Sequence, residues 1–212
     1  MADDLRRGFH RDLQHLGDMV AHLFALVSEA VAGATDALLS GDRDSAQLLV
    51  ARDELIDEVF REVDALVQQE ITLQQPMARD LRFLLTLVRI VPEIERSGDL
   101  AEHIAMRAAG ALPAQLTSRM RGIIEQMGDI CVEMWRVVAD AFLERDPTKA
   151  AWLSKRDDQL DLLHDQFIAE VASAEIPTWA AMELALLGRF YERLGDHSVH
   201  VAERIRYLAG VD

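Results

Sequence analysis

Thiols are nearly missing from this chain. Cys131 is the only cysteine in 212 residues, so no intramolecular disulfide is possible and a reducing compartment fits. Glycine and proline are scarce, at 11 and 5. Few turn points are available, which implies long elements joined by few loops. Aromatic residues make up 6%, while Ala, Leu, Val, Glu, Asp and Arg dominate, a balance that favours helix. Positive charge is also in short supply. There are 22 Lys and Arg against 37 Asp and Glu, a net charge of -15. Such a surface repels phosphate backbones, so nucleic acid is not an expected partner. It attracts metal cations and basic patches on other proteins. The start, Met-Ala-Asp-Asp-Leu-Arg-Arg, lacks the basic-then-apolar order of a signal peptide. No apolar run approaches the roughly 20 residues that cross a bilayer. The most apolar stretch, Leu81 to Val91, is broken by Arg82 and Arg89. These features read as a soluble, cytoplasmic protein. There is no Gly-rich phosphate loop, no nucleophile elbow and no Cys/His pairing at a useful spacing, so no catalytic residue is assigned.

What the chain does have is helical periodicity nearly throughout. Leu13, Leu16, Val20, Leu23, Ala30, Val31 and Leu38 trace one stripe, and Leu48, Leu49, Ile56, Val59, Val63 and Leu66 a second. A third runs from Leu81 to Ile104 and contains Pro92, which predicts a bend. Turns fall at Ser40-Gly41-Asp42 and Gln75-Pro76. Gly110-Ala-Leu-Pro113 is the best linker candidate, after which the pattern restarts. Helices four, five and six follow Ile123 to Phe142, Leu153 to Val171 and Leu184 to Ile205, with turns at Arg145 to Thr148 and at Pro177.

The two halves align. Arg52-Asp-Glu-Leu-Ile-Asp57 matches Arg156-Asp-Asp-Gln-Leu-Asp161 at an offset of 104, and Glu95-Arg-Ser-Gly-Asp99 matches Glu192-Arg-Leu-Gly-Asp196 at an offset of 97. The seven-residue difference is about two helical turns and preserves the inward face. The expected fold is all-α: two tandem antiparallel three-helix bundles related by internal duplication, over residues 1–110 and 111–212.

Acids four apart share a helix face. Asp53 and Asp57 therefore point together, as do Glu95 and Asp99, Asp157 and Asp161, and Glu192 and Asp196. If the second and third helices of a unit pack side by side, four carboxylates converge at the edge of their seam. They would repel one another and raise their own pKa values unless a cation joined them. Hard cations suit such oxygens, and no cysteine lies near to make a zinc thiolate site. Acid–xxx–acid pairs arise by chance about six times at this composition, as solvated helix surface. Pairs at equivalent places in both halves are a stronger signal. His103 and His200 lie four residues after Asp99 and Asp196 and are possible additional ligands, or hydrogen-bonded structural residues. Gly98 and Gly195 each cost about 1 kcal/mol in mid-helix relative to alanine, which points to helix packing at both.

"QQPMARDLR" (Gln74–Arg82), "EIERSGDLAEHIA" (Glu93–Ala105) and "LLGRFYERLGDHSVHVAERI" (Leu186–Ile205) resemble the signature of the PhoU phosphate-uptake regulators, closest in wording to the actinobacterial branch. The resemblance spans nearly the whole chain. It implies two tandem three-helix bundles whose acidic motifs hold multinuclear metal clusters. Carried over by position, the metal residues are Asp53, Asp57, Glu95 and Asp99, then Asp157, Asp161, Glu192 and Asp196. The family commonly has asparagine where this chain has His103, which bears on metal preference. The metal implied is a divalent or iron-type ion (Mg, Mn, Fe or Zn). The resemblance further implies a non-enzymatic regulator that restrains phosphate uptake and keeps phosphate-starvation genes off. It would link the phosphate ABC importer and its ATPase to a phosphate-sensing histidine kinase, dimerise, and meet the membrane through partners only. The alternative on the same bundle is a metal-dependent enzyme or a metal store.

Overall fold

A computed structural model describes residues 2–210, with side chains from residue 7 onward. Among the described residues the chain is six long helices with no strand: α1 (Ala2–Ser40), α2 (Arg43–Gln74), α3 (Ala78–Ala109), α4 (Ser118–Glu144), α5 (Lys149–Ser173) and α6 (Thr178–Ala209). Each starts and stops for a local reason. Asp42 caps α2, accepting from the Ser45 backbone N–H at 3.1 Å and the Ser45 hydroxyl at 2.6 Å. Gln75, in left-handed backbone, ends α2 just before Pro76. Thr117 caps α4 through the Met120 N–H at 3.1 Å. A 3-10 turn, Leu112–Gln115, carries the chain from α3 to α4. The helix α3 continues through Pro92. The proline leaves the Val88 carbonyl without its usual donor, and Val88 lies on the exposed face, where water can serve it.

Helices α1, α2 and α3 pack as one three-helix bundle and α4, α5 and α6 as another. The bundles meet along two further contacts, α3 against α6 and α1 against α4. Their apolar stripes merge into one continuous core rather than two. Trp135, Tyr191, Phe24 and Phe167 are its largest fully buried side chains. Several polar groups within it are paired, as burial favours, although Glu70 Oε2 is buried without a hydrogen-bond partner. The Tyr191 and Thr35 hydroxyls lie 2.9 Å apart, and Trp135 Nε1–H donates to the Leu194 carbonyl at 3.2 Å. At the α3–α6 contact, the Ser97 hydroxyl donates to the Glu93 carbonyl at 2.7 Å. Its oxygen is left to accept from buried His197 Nδ1, 3.0 Å away.

A longer segment with a lower charge density than Leu81 to Val91 lies in α1. Within Arg7–Ser40, α1 is long and apolar enough to cross a bilayer by length and composition, and half of that window is buried inside the protein. Asp18 and Glu29 interrupt its apolar letters without lowering the average much. Its Leu16, Val20, Leu23, Phe24, Val27 and Val31 are core residues.

Candidate metal edges

The second and third helices of each bundle lie side by side, and this brings the predicted acids to one seam. In the first half, Asp53 and Asp57 on α2 face Asp99 on α3. Each offers one carboxylate oxygen, and the three oxygens lie within 4.8 Å of one another. The close approach of the helices occurs at Gly98. A Cβ there would sit 3.0 Å from Ile56 Cδ1 and 3.4 Å from Asp53 Oδ1. In the second half, a Cβ on Gly195 would press into Asp157 Oδ1 and come within 2.6 Å of Leu160 Cδ2. Both glycines thus sit where the partner helix carries its first acid.

The electrostatics of the two seams match. Burial, followed by the charges of Glu102, Asp99, Asp57 and Glu95, pushes the Asp53 carboxyl up to about 7. Burial, followed by Asp161, Asp196 and Glu192, pushes Asp157 up to about 7. Glu95, Asp99, Asp161 and Glu192 are also raised, burial first in each case. Cations stand only at the flanks of these seams, Arg61 3.9 Å from Asp57 and Arg189 on one oxygen of Glu192, so the half-buried carboxylates with raised pKa values are poised to take up protons or a further cation.

The seams differ in detail. Glu95 stands beside the three first-half acids but outside their close group. Among the described residues, no three second-half acids meet the 4.8 Å spacing. Instead, Asp157 Oδ1 and Glu192 Oε2 are buried with no hydrogen-bond partner. The other Glu192 oxygen contacts Arg189. An orphaned buried carboxylate oxygen costs on the order of 1–3 kcal/mol, and two of them at one edge fit a cation better than bare packing. His103 and His200 are both exposed, and neither joins a three-residue group. The His103 ring lies 5.4 Å from that of Phe190, beside the first seam.

Two neighbours were missed in the sequence. Glu102 is the strongest charge acting on Asp53. Its signal was its position three residues after Asp99, on the same face, but it has no counterpart in the second half, where Val199 stands. His164 packs beside Gly188, and its charge acts on Asp161 and Glu192. At the 104-residue offset its counterpart is Phe60, so the repeat does not single it out.

The family model for the PhoU domain matches the chain twice, over residues 20–108 and 124–205. The phosphate-specific transport system accessory protein PhoU homolog 2 of Mycobacterium tuberculosis is 32% identical over 211 residues, covering 97% of this chain and 98% of its own. PhoU homolog 1 of Mycobacterium leprae is also 32% identical, covering 97% of this chain and 94% of its own. The crystal structure of PhoU from Pseudomonas aeruginosa superposes with a TM-score of 0.87 at 25% identity, over 94% of this chain and 98% of that one. The PhoU regulatory protein from Streptococcus pneumoniae, 24% identical, shares the fold with a TM-score of 0.83 over 94% of this chain and 96% of that one.

Proposed function

The chain belongs to the PhoU family, and from that premise we propose that it is a non-enzymatic regulator of phosphate transport. It restrains uptake and keeps phosphate-starvation genes off when phosphate is plentiful. It does so by touching two partners, the ATPase of the phosphate importer and a phosphate-sensing histidine kinase. It works in the cytoplasm as a homodimer and reaches the membrane through those partners. Each repeat, 1–110 and 111–212, is one unit with one metal edge.

The observation that carries the metal half of this reading is the donor set. Asp53, Asp57 and Asp99 would hold a cation at the first edge, with Glu95 and Glu102 beside them. Asp157, Asp161, Glu192 and Asp196 would do so at the second, where two oxygens are already buried and unpaired. All donors are hard oxygens, which suit magnesium, manganese or iron, and zinc less well. A bound ion neutralises the repelling carboxylates and ties α2 to α3 and α5 to α6. The ion's task is then structural, presenting a fixed bundle edge to a partner.

Two measurements test the proposal. Protein purified without chelator should carry metal by elemental analysis, and Asp99→Ala with Asp196→Ala should lose it while remaining helical by circular dichroism. Unchanged metal content in that double variant would remove these acids as ligands. Separately, a strain lacking the chain and every homologue should express phosphate-starvation genes in high phosphate. Intact repression there sinks the regulator reading.

A further inference from the structure

One end of this acidic molecule is basic. Between Glu70 and Glu93 the chain carries a single acid, Asp80, and three arginines, Arg79, Arg82 and Arg89. The fold adds a fourth from another element. Arg145, just past the end of α4, stands close enough to Arg79 to feel its charge, with Asp80 partly offsetting that repulsion, and its guanidinium lies 5.9 Å over the Phe83 ring. Arg82 and Arg89 flank the Tyr207 ring of α6, at 5.5 and 6.0 Å. All four arginines are exposed, and among the described residues none forms an ion pair.

Apolar side chains are interleaved with them. Arg82, Leu85 and Arg89 follow one exposed stripe of α3, at spacings of three and four. Leu85 and Val88 are exposed there, as are Leu73 in the last turn of α2, Met77 in the α2–α3 turn and Leu143 beside Arg145. The backbone is also unusual at this end. Gln75, Ala78 and Arg145 are the only non-glycine residues with positive φ among the described residues, at 48°, 48° and 54°. Each such conformation costs on the order of 1 kcal/mol, and strain of this kind collects at functional surfaces. The corresponding turn of the second half, Ala174 to Pro177, has none.

We propose that this end, formed by the α2–α3 turn, the first half of α3 and the Tyr207 face of α6, is a docking surface for an acidic amphipathic helix of a partner protein. Guanidinium forks take carboxylates in two-point contacts, and Leu85, Val88 and Met77 cover apolar side chains set between them. Charge selects this occupant. A second copy of the chain brings a net charge of -15 of its own. A flat anionic bilayer would face the acidic flanks within a Debye length of about 10 Å. A single helix touches only the basic end.

The inference rests on the regulator reading for the existence of such a partner, and not on the metal edges. The probe is a labelled amphipathic Leu/Glu peptide, titrated with the full chain and followed by fluorescence anisotropy in about 0.1 M salt. Saturable binding is expected. Arg82→Glu with Arg89→Glu should weaken it at least about tenfold, and Arg82→Gln with Arg89→Gln should do so by a smaller factor. Arg119→Glu with Arg136→Glu, an equal charge reversal elsewhere, should leave it unchanged. Chelator should also leave it unchanged, which separates this proposal from the metal reading. Circular dichroism checks that each variant is folded. The proposal is overturned if the peptide fails to saturate, or if both reversals weaken it equally. It is also overturned if phosphatidylglycerol vesicles bind with this arginine dependence while the peptide does not. A dimer in ultracentrifugation that the Arg82/Arg89 reversal dissociates would assign the surface to a second copy and overturn it too.

Discussion

Asp53 and Asp157 hold their protons up to about pH 7 in the folded chain, against about 3.9 when unfolded. Below pH 4 both states are protonated and the two groups contribute nothing. As pH rises from 4 to 7, the unfolded chain ionises while the folded chain still binds the protons, so folding stability falls. Above pH 7 both states are ionised and the whole penalty remains. At 1.36 kcal/mol per unit, the shift corresponds to about 4 kcal/mol at each edge. Solvent screening at half-buried positions reduces this to about 2. In chelator, the chain should therefore melt at a lower temperature at pH 8 than at pH 5. Asp53→Asn and Asp157→Asn remove the charge and keep the shape. Each should raise the pH 8 melting temperature by roughly 4–8 °C, taking about 2–4 °C per kcal/mol for a chain of this size, and the double variant should flatten the pH dependence. Divalent metal should stabilise the wild-type chain at pH 8 and the double variant much less. Differential scanning calorimetry across pH 5–8 decides the matter. If the asparagine variants are less stable at pH 8, or if the wild type gains stability as pH rises from 5 to 7, the seams are not repulsive and the reasoning fails.

Gly195→Ala should cost about 1–3 kcal/mol in urea denaturation, because the new methyl meets both Asp157 and Leu160. Gly98→Ala should cost less than Gly195→Ala, since its contacts are looser, Ile56 Cδ1 and Cγ2 at 3.0 and 3.1 Å and Asp53 Oδ1 at an ordinary 3.4 Å, and it gains the same helix propensity; equal costs would contradict the geometry. Glu102→Gln should lower the Asp53 titration midpoint and leave that of Asp157 in place, read by carboxyl carbon NMR. Tyr191→Phe should destabilise by about 1 kcal/mol, since the Thr35 hydroxyl keeps its bond to the Val31 carbonyl at 2.8 Å.

The helices were legible because period and punctuation are local properties. Asp42, Gln75-Pro76 and Arg145 to Thr148 break the pattern where the chain turns, and the apolar stripes name the core. The acids were legible as pairs because a four-residue spacing fixes their direction on one helix. Which oxygens meet across the seam was not, because it depends on how α2 and α3 are rotated about their axes. That rotation brings Glu102 in and leaves Glu95 outside the close group. The basic end was hidden for a similar reason. It draws Arg79, Arg145 and Tyr207 from three separate helices, and a net charge of -15 masks it. The single continuous core was hidden as well, because a repeat in sequence says nothing about whether its copies share an interior.

That shared interior has an evolutionary consequence. Before duplication, one repeat pairing with another copy of itself would have needed a self-complementary face, in which each residue change is made twice. Once both copies sit in one chain, each side can change alone. Ser97 and His197 show this at the α3–α6 contact. Their counterparts at the 97-residue offset are Leu194 and Leu100, both buried and apolar. A polar pair thus has two apolar counterparts in the repeat, a difference that two identical subunits could not carry.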